Sequence, residues 1–136
     1  GRAIEMIGVD TNVLVRFLVE DDPRQNALAR DFFSKRSAED PAFVSAIVLA
    51  ETVWVLRRNL KLPLATVSDL IQNLLAADRL VVEFTEELDA LLSQNTPQSD
   101  IADYLIAWSA KRAGCKATVT FDRTSAEAIP GMELLA

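Results

Sequence analysis

Short apolar runs alternate along this chain with longer segments of helical periodicity, and that alternation constrains the fold more than anything else in the sequence. Met6–Val9, Ala42–Val44, Leu80–Phe84, Ala117–Phe121 and Met132–Leu135 each read as a strand of three to five residues. Helical patterns fill the intervals. One covers Asn12–Glu20. Another starts at Asp22-Pro23, where Asp can cap and Pro suits the first turn, and runs to about Ser37, burying Ala27, Leu28, Phe32 and Phe33. Ser45 can cap an apolar helix from Ala46 to about Arg58, and further helices span Ala65–Ala77 and Thr85–Gln94. A last one is capped by Ser99, reaches Arg112 and closes at Gly114. Strands joined through helices imply crossover connections, hence an α/β fold with a mostly parallel central sheet and helices on both faces. No repeat or Gly/Ser linker divides the 136 residues, so residues 6–136 are expected to form one domain. Gly1–Glu5 reads as a cloning remnant ahead of a native start at Met6.

Composition narrows the chemistry. The chain has no histidine, which removes the Ser-His-Asp triad, the Cys-His dyad and every His-containing metal site. Its one cysteine, Cys115, permits neither a multi-cysteine zinc site nor an internal disulfide, and reads as an inert structural residue. Fourteen Lys and Arg against twenty Asp and Glu give a net charge of −6, which argues against nucleic-acid binding through bulk positive charge. An enzyme that handles a polyanion through bound cations stays open. No apolar run approaches the roughly 18 residues that cross a membrane, and the N-terminal segment is broken by Asp10, so a cytoplasmic setting is expected.

Four carboxylates resist a purely structural explanation. Sites in parallel α/β sheets form beyond the carboxyl ends of the strands, where Asp10 and Asp122 stand. Each could equally cap the helix or turn that follows. Glu51 has Ile47, Val48, Trp54 and Val55 as its helical neighbours, all apolar, so it lies on the core face or serves a function. An edge position paired with Arg57 or Arg58 is the plainer alternative. Asp103 shares a face with Asp100 near a helix start, where the dipole favours acids; that suits Asp100 better than Asp103. Were all four to meet in one cleft they would repel one another unless a cation held them, and oxygen-only ligands select Mg²⁺ or Mn²⁺. Such ions reach for phosphate.

Asp10-Thr11-Asn12, Glu51 within Ala50–Leu56, Asp103 within Asp103–Ala107, and Thr120-Phe121-Asp122 resemble the PIN domain, in the family's order and over the whole chain from Met6. The likeness is greatest to the single-domain VapC-type toxins of bacterial toxin–antitoxin pairs. It implies a PIN-like three-layer sandwich with four to five strands, and a Mg²⁺- or Mn²⁺-dependent endoribonuclease, dimeric and silenced by a cognate antitoxin. Asp10 and Asp103 would be the principal metal ligands. Glu51 and Asp122 would ligate directly, through water or at a second ion, and one of them would accept the attacking water's proton. Asn12, Thr120 and Asp100 would support them. Arg57, Arg58 and Lys61, and Lys111, Arg112 and Lys116, form two basic clusters that could touch RNA phosphates or merely be solvated. The apolar helix Ala46–Leu56 could face a dimer partner or an antitoxin helix. Two rival readings remain: a Mg²⁺-binding phospho-receiver-like switch, which would want a second acid after the first strand and a Lys after the last, and a PIN fold used only for binding.

Overall fold

The first polar side chain beyond a strand repeatedly starts the next helix. In the computed structural model, which describes residues 5–94 and 97–136, strand β1 (Ile7–Gly8) leads to α1 (Thr11–Leu18), whose N-cap is Asp10. Asp22 caps α2 (Pro23–Ser34), with Pro23 in its first turn. Strand β2 (Ala42–Val44) is followed by Ser45, whose Oγ accepts the Val48 N–H at 3.1 Å to open α3 (Ala46–Trp54). That helix loosens into a π-helical turn over Val55–Asn59 where the sequence predicts regular helix to Arg58. Then come α4 (Leu64–Ala76), β3 (Leu80–Val82), α5 (Thr85–Gln94), α6 (Ile101–Arg112), β4 (Thr118–Thr120), α7 (Arg123–Ala128) and β5 (Met132–Leu134). The leader expected at Gly1–Glu5 lies, except for Glu5, outside the described residues.

All strand pairs are parallel, as the helical connections require. The expected α/β class holds, but the five strands divide between two sheets, β1-β2-β3 and β4-β5, instead of forming one. Ile129, just beyond α7, and Met132 of β5 are buried with Tyr104 and Ala107 of α6 in a small cluster of their own. The main core lies elsewhere, with Leu14, Leu49, Val53, Leu56, Val67, Leu88, Ile101 and Leu105 fully buried or nearly so beside Ala42, Val44 and Val82 of the sheet.

Two local readings are corrected. The buried face of α2 is Asn26, Ala29 and Phe33, while Ala27 and Leu28 face solvent. Asn26 tolerates burial because its Nδ2 donates to Arg16 O at 2.7 Å and its Oδ1 accepts from Arg30 Nε at 3.1 Å. The cap of α6 is Asp100, accepting the Ala102 N–H at 3.1 Å, and not Ser99. Gly114 does take the left-handed conformation just past α6, at φ 97°.

Glu83, just past β3, joins three elements. Its Oε1 accepts the Ala46 N–H at 2.8 Å at the start of α3, and its Oε2 pairs with Arg112 at 2.9 Å at the end of α6. The Arg112 guanidinium also lies 3.8 Å from the centre of the Phe84 ring. Leu49 sits in the core that α3 shares with its neighbours, so Leu49→Ala is expected to cost about 2–5 kcal/mol, read from urea unfolding.

Candidate metal centre

Acidic side chains gather where the starts of α6 and α7 meet. Asp103, in the first turn of α6, accepts a hydrogen bond from Ser125 Oγ at 3.1 Å through its Oδ2. Ser125 Oγ lies 2.9 Å from Ser99 Oγ. Since the single Ser125 hydroxyl proton goes to Asp103, Ser99 is the donor in that second bond. Asp122 caps α7 by accepting the Ser125 N–H at 3.1 Å, and its own N–H donates to Thr120 Oγ1 at 3.0 Å. Ser125 thus touches both acids from one position. Its role was not foreseen; the Asp122-x-x-Ser125 spacing, a cap with its N3 residue, was the available signal.

Burial pushes the Asp103 carboxyl above its ordinary value, and the negative charges of Asp100 and Asp122 push it further; the hydrogen bond from Ser125, with the Ser99 hydroxyl behind it, pulls it partly back. A bound cation would reverse the balance by favouring the charged form. The donor set therefore fits a hard divalent ion: oxygen only, mutually repelling, and held by neutral hydroxyls.

Asp10 and Glu51 lie outside this hydrogen-bonded network. Asp10 is exposed and its Oδ1 accepts the Val13 N–H at 3.1 Å. The register Gly8↔Phe43, continued by the Val9 N–H to Phe43 O bond, sets Asp10 beside Ser45 at the carboxyl rim of the three-stranded sheet. Asn12 lines the same cleft as Asp10. Glu51 does not lie on the core face: it is exposed on α3, between Ile47 at 73% exposure and Trp54. Its helix packs against both α1 and α6, and so lies between the element carrying Asp10 and the one carrying Asp103. Among the described residues, no group of three or more carboxylates stands arranged to hold a metal ion.

The supporting residues separate as well. Asp100 belongs with Asp103, and Thr120 holds the backbone of Asp122. Arg57 donates to Leu62 O at 3.1 Å and Arg58 lies over Trp54, so neither is the ion-pair partner of Glu51 considered above. Arg112 is engaged by Glu83; Lys61, Lys111 and Lys116 are exposed. Cys115 is free and exposed. No helix among the described residues is long and apolar enough to cross a membrane.

A family model described as the PIN domain matches residues 7–129. No curated protein matches the chain.

A raised Asp103 pKa means that the folded protein holds this proton to higher pH than the unfolded chain does. Metal-free stability attributable to Asp103 is therefore greatest below the ordinary value of 3.8 and falls as pH rises from there through the folded value. Asp103→Asn, which cannot charge, is expected to match or exceed the parent's thermal midpoint at pH 7 without metal, with the difference shrinking in acid. A lowered midpoint at pH 7 would contradict this.

Proposed function

Because the chain belongs to the PIN domain family, whose members are generally metal-dependent nucleases acting on RNA or DNA, we propose that it is a Mg²⁺- or Mn²⁺-dependent endoribonuclease. Asp10, Glu51, Asp103 and Asp122 are its working residues. The observation that carries the reading is that Ser125 bonds both Asp103 and Asp122 where two helices start, with the charge of Asp100 close enough to act on Asp103.

A divalent ion, when bound, supplies Lewis acidity to activate water and positive charge against the phosphate. Asp10 and Asp103 would hold it, and Glu51 and Asp122 would supply further oxygens directly or through water. Ser125 fixes the Asp103 carboxylate and the Asp122 cap together, so both keep their aim when an anionic strand arrives. Glu51 or Asp122 accepts the attacking water's proton. Asn12 supports Asp10, and exposed Arg57, Arg58, Lys61, Lys111 and Lys116 contact RNA phosphates, a modest basic set in a chain of net charge −6.

The same reading makes residues 6–136 one cytoplasmic domain, the toxin of a toxin–antitoxin pair, dimeric and silenced by its antitoxin. The four acidic motifs in order support it, as do the exposed apolar Ile47 and Trp54 on α3, which suit a partner helix.

Pure protein incubated with RNA is expected to cut it with Mg²⁺ or Mn²⁺ and to stop with EDTA. Asp10→Asn and Asp103→Asn should each lose at least about 100-fold, the upper scale for perturbing even the surroundings of a metal site. Cutting that survives chelation and both substitutions would overturn the proposal.

A further inference from the structure

One joint ties the helix carrying Glu51 to the helix carrying Asp103, and stability alone does not account for its geometry. Glu83 accepts the Ala46 N–H, one of the donors that the first turn of α3 leaves without an intrahelical partner. Its other oxygen holds Arg112 in the last turn of α6. The two side chains are 31% and 55% exposed, and ion pairs that open to water contribute little to folding. Yet the residue beside Glu83 is strained: Phe84 stands at φ 62°, in the left-handed region that bulky residues avoid. It is buried there, with the Arg112 guanidinium over its ring and the Trp108 ring centre 6.0 Å from its own. Such strain persists only where the surroundings over-determine the backbone, and it gathers where geometry serves function. The joint reaches toward the site along both helices. Ala46 opens α3, and Glu51 follows five positions later, about 7.5 Å along the helix. On α6, Arg112, Trp108 and Tyr104 share a face at a spacing of four; the Trp108 and Tyr104 ring centres lie 5.9 Å apart, and Tyr104 adjoins Asp103.

We propose that Glu83 and Arg112 are positioning residues for the metal centre: their ion pair sets the Glu51 carboxylate against the Asp103 carboxylate, and neither side chain touches ion or RNA. This rests on the nuclease reading for the role of Glu51 and Asp103. Because Arg112 is exposed, a direct grip on RNA phosphates is the competing role, and charge separates the two. Positioning needs both halves of the pair, so losing the negative partner or the positive one does the same damage. A direct grip makes the two losses opposite: without Arg112 RNA binds more weakly, and without the Glu83 charge it binds more tightly.

Glu83→Gln keeps an acceptor for the Ala46 N–H and removes the charge; Arg112→Met keeps apolar cover on the Phe84 ring and removes the charge. Each is expected to weaken Mn²⁺ binding, followed by the paramagnetic resonance of the free ion, and to lower kcat on RNA, both by about 10-fold, the lower scale for groups that orient metal ligands. The KM for RNA is expected to stay within about twofold of wild type in both, and the thermal midpoint within about 5 °C. The double variant should be no worse than either single one, since both changes break one joint. Opposite shifts of KM in the two variants, Mn²⁺ binding and kcat that stay at wild-type values, or losses that come only with a large fall in the midpoint would each overturn the proposal. A wild type that cuts no RNA, while Mn²⁺ binding falls alike in both variants, would keep the positioning role and defeat the nuclease reading alone. A wild type that binds no Mn²⁺ would overturn both.

Discussion

A parallel α/β chain must turn from strand into helix again and again, and each turn leaves backbone N–H groups of the new helix without intrahelical partners. Here the next polar side chain satisfies one of them: Asp10 after β1, Ser45 after β2 and Asp122 after β4. At two of these three points the cap is a carboxylate with one oxygen committed to the backbone. Capping and metal binding are therefore not competing roles. A cap fixes the carboxylate at the strand end and leaves its second oxygen available for an ion, so the demands of the fold place the acids where the chemistry would use them.

The same economy appears in residues that looked unremarkable. Glu83 satisfies the start of α3 with one oxygen and the end of α6 with the other, so the helix bearing Glu51 and the helix bearing Asp103 share a fixed point. Ser125 is nearly inaccessible, yet it bonds to Asp103 and Ser99 and supports the Asp122 cap. Apart from the Ser125–Asp122 contact, both roles depend on partners 22 or more positions away, beyond the reach of periodicity.

Much of the fold was legible because its signals are local. Ser45, Asp22-Pro23 and Gly114 act through neighbours within four residues, and all three mark helix ends as the sequence predicts. Ser99 misled because Asp100 beside it is an equally good cap. Leu28 misled because a helix's buried face is chosen by what lies opposite: the pairing of Asn26 with Arg16 and Arg30 turns α2 so that Leu28 points outward. Glu51 is decided in the same way between the core face and a functional or edge position. Its apolar neighbours implied burial, but Ile47 and Trp54 are themselves exposed. Of the candidate site, Asp103 and Asp122 share Ser125 as a hydrogen-bond partner, while Asp10 and Glu51 lie outside that network. Thr120 holds the backbone of Asp122, and the division into two sheets left no trace in the strand patterns.

The central claim is that carboxylates distant along the chain jointly hold one kind of divalent ion, and Mn²⁺ makes this directly visible. Titration of the protein with Mn²⁺, following the electron paramagnetic resonance signal of the free ion, is expected to reveal saturable binding that either Asp10→Asn or Asp103→Asn abolishes or weakens severely. Binding unchanged by both substitutions, or dependent on Asp103 but indifferent to Asp10, would contradict the account.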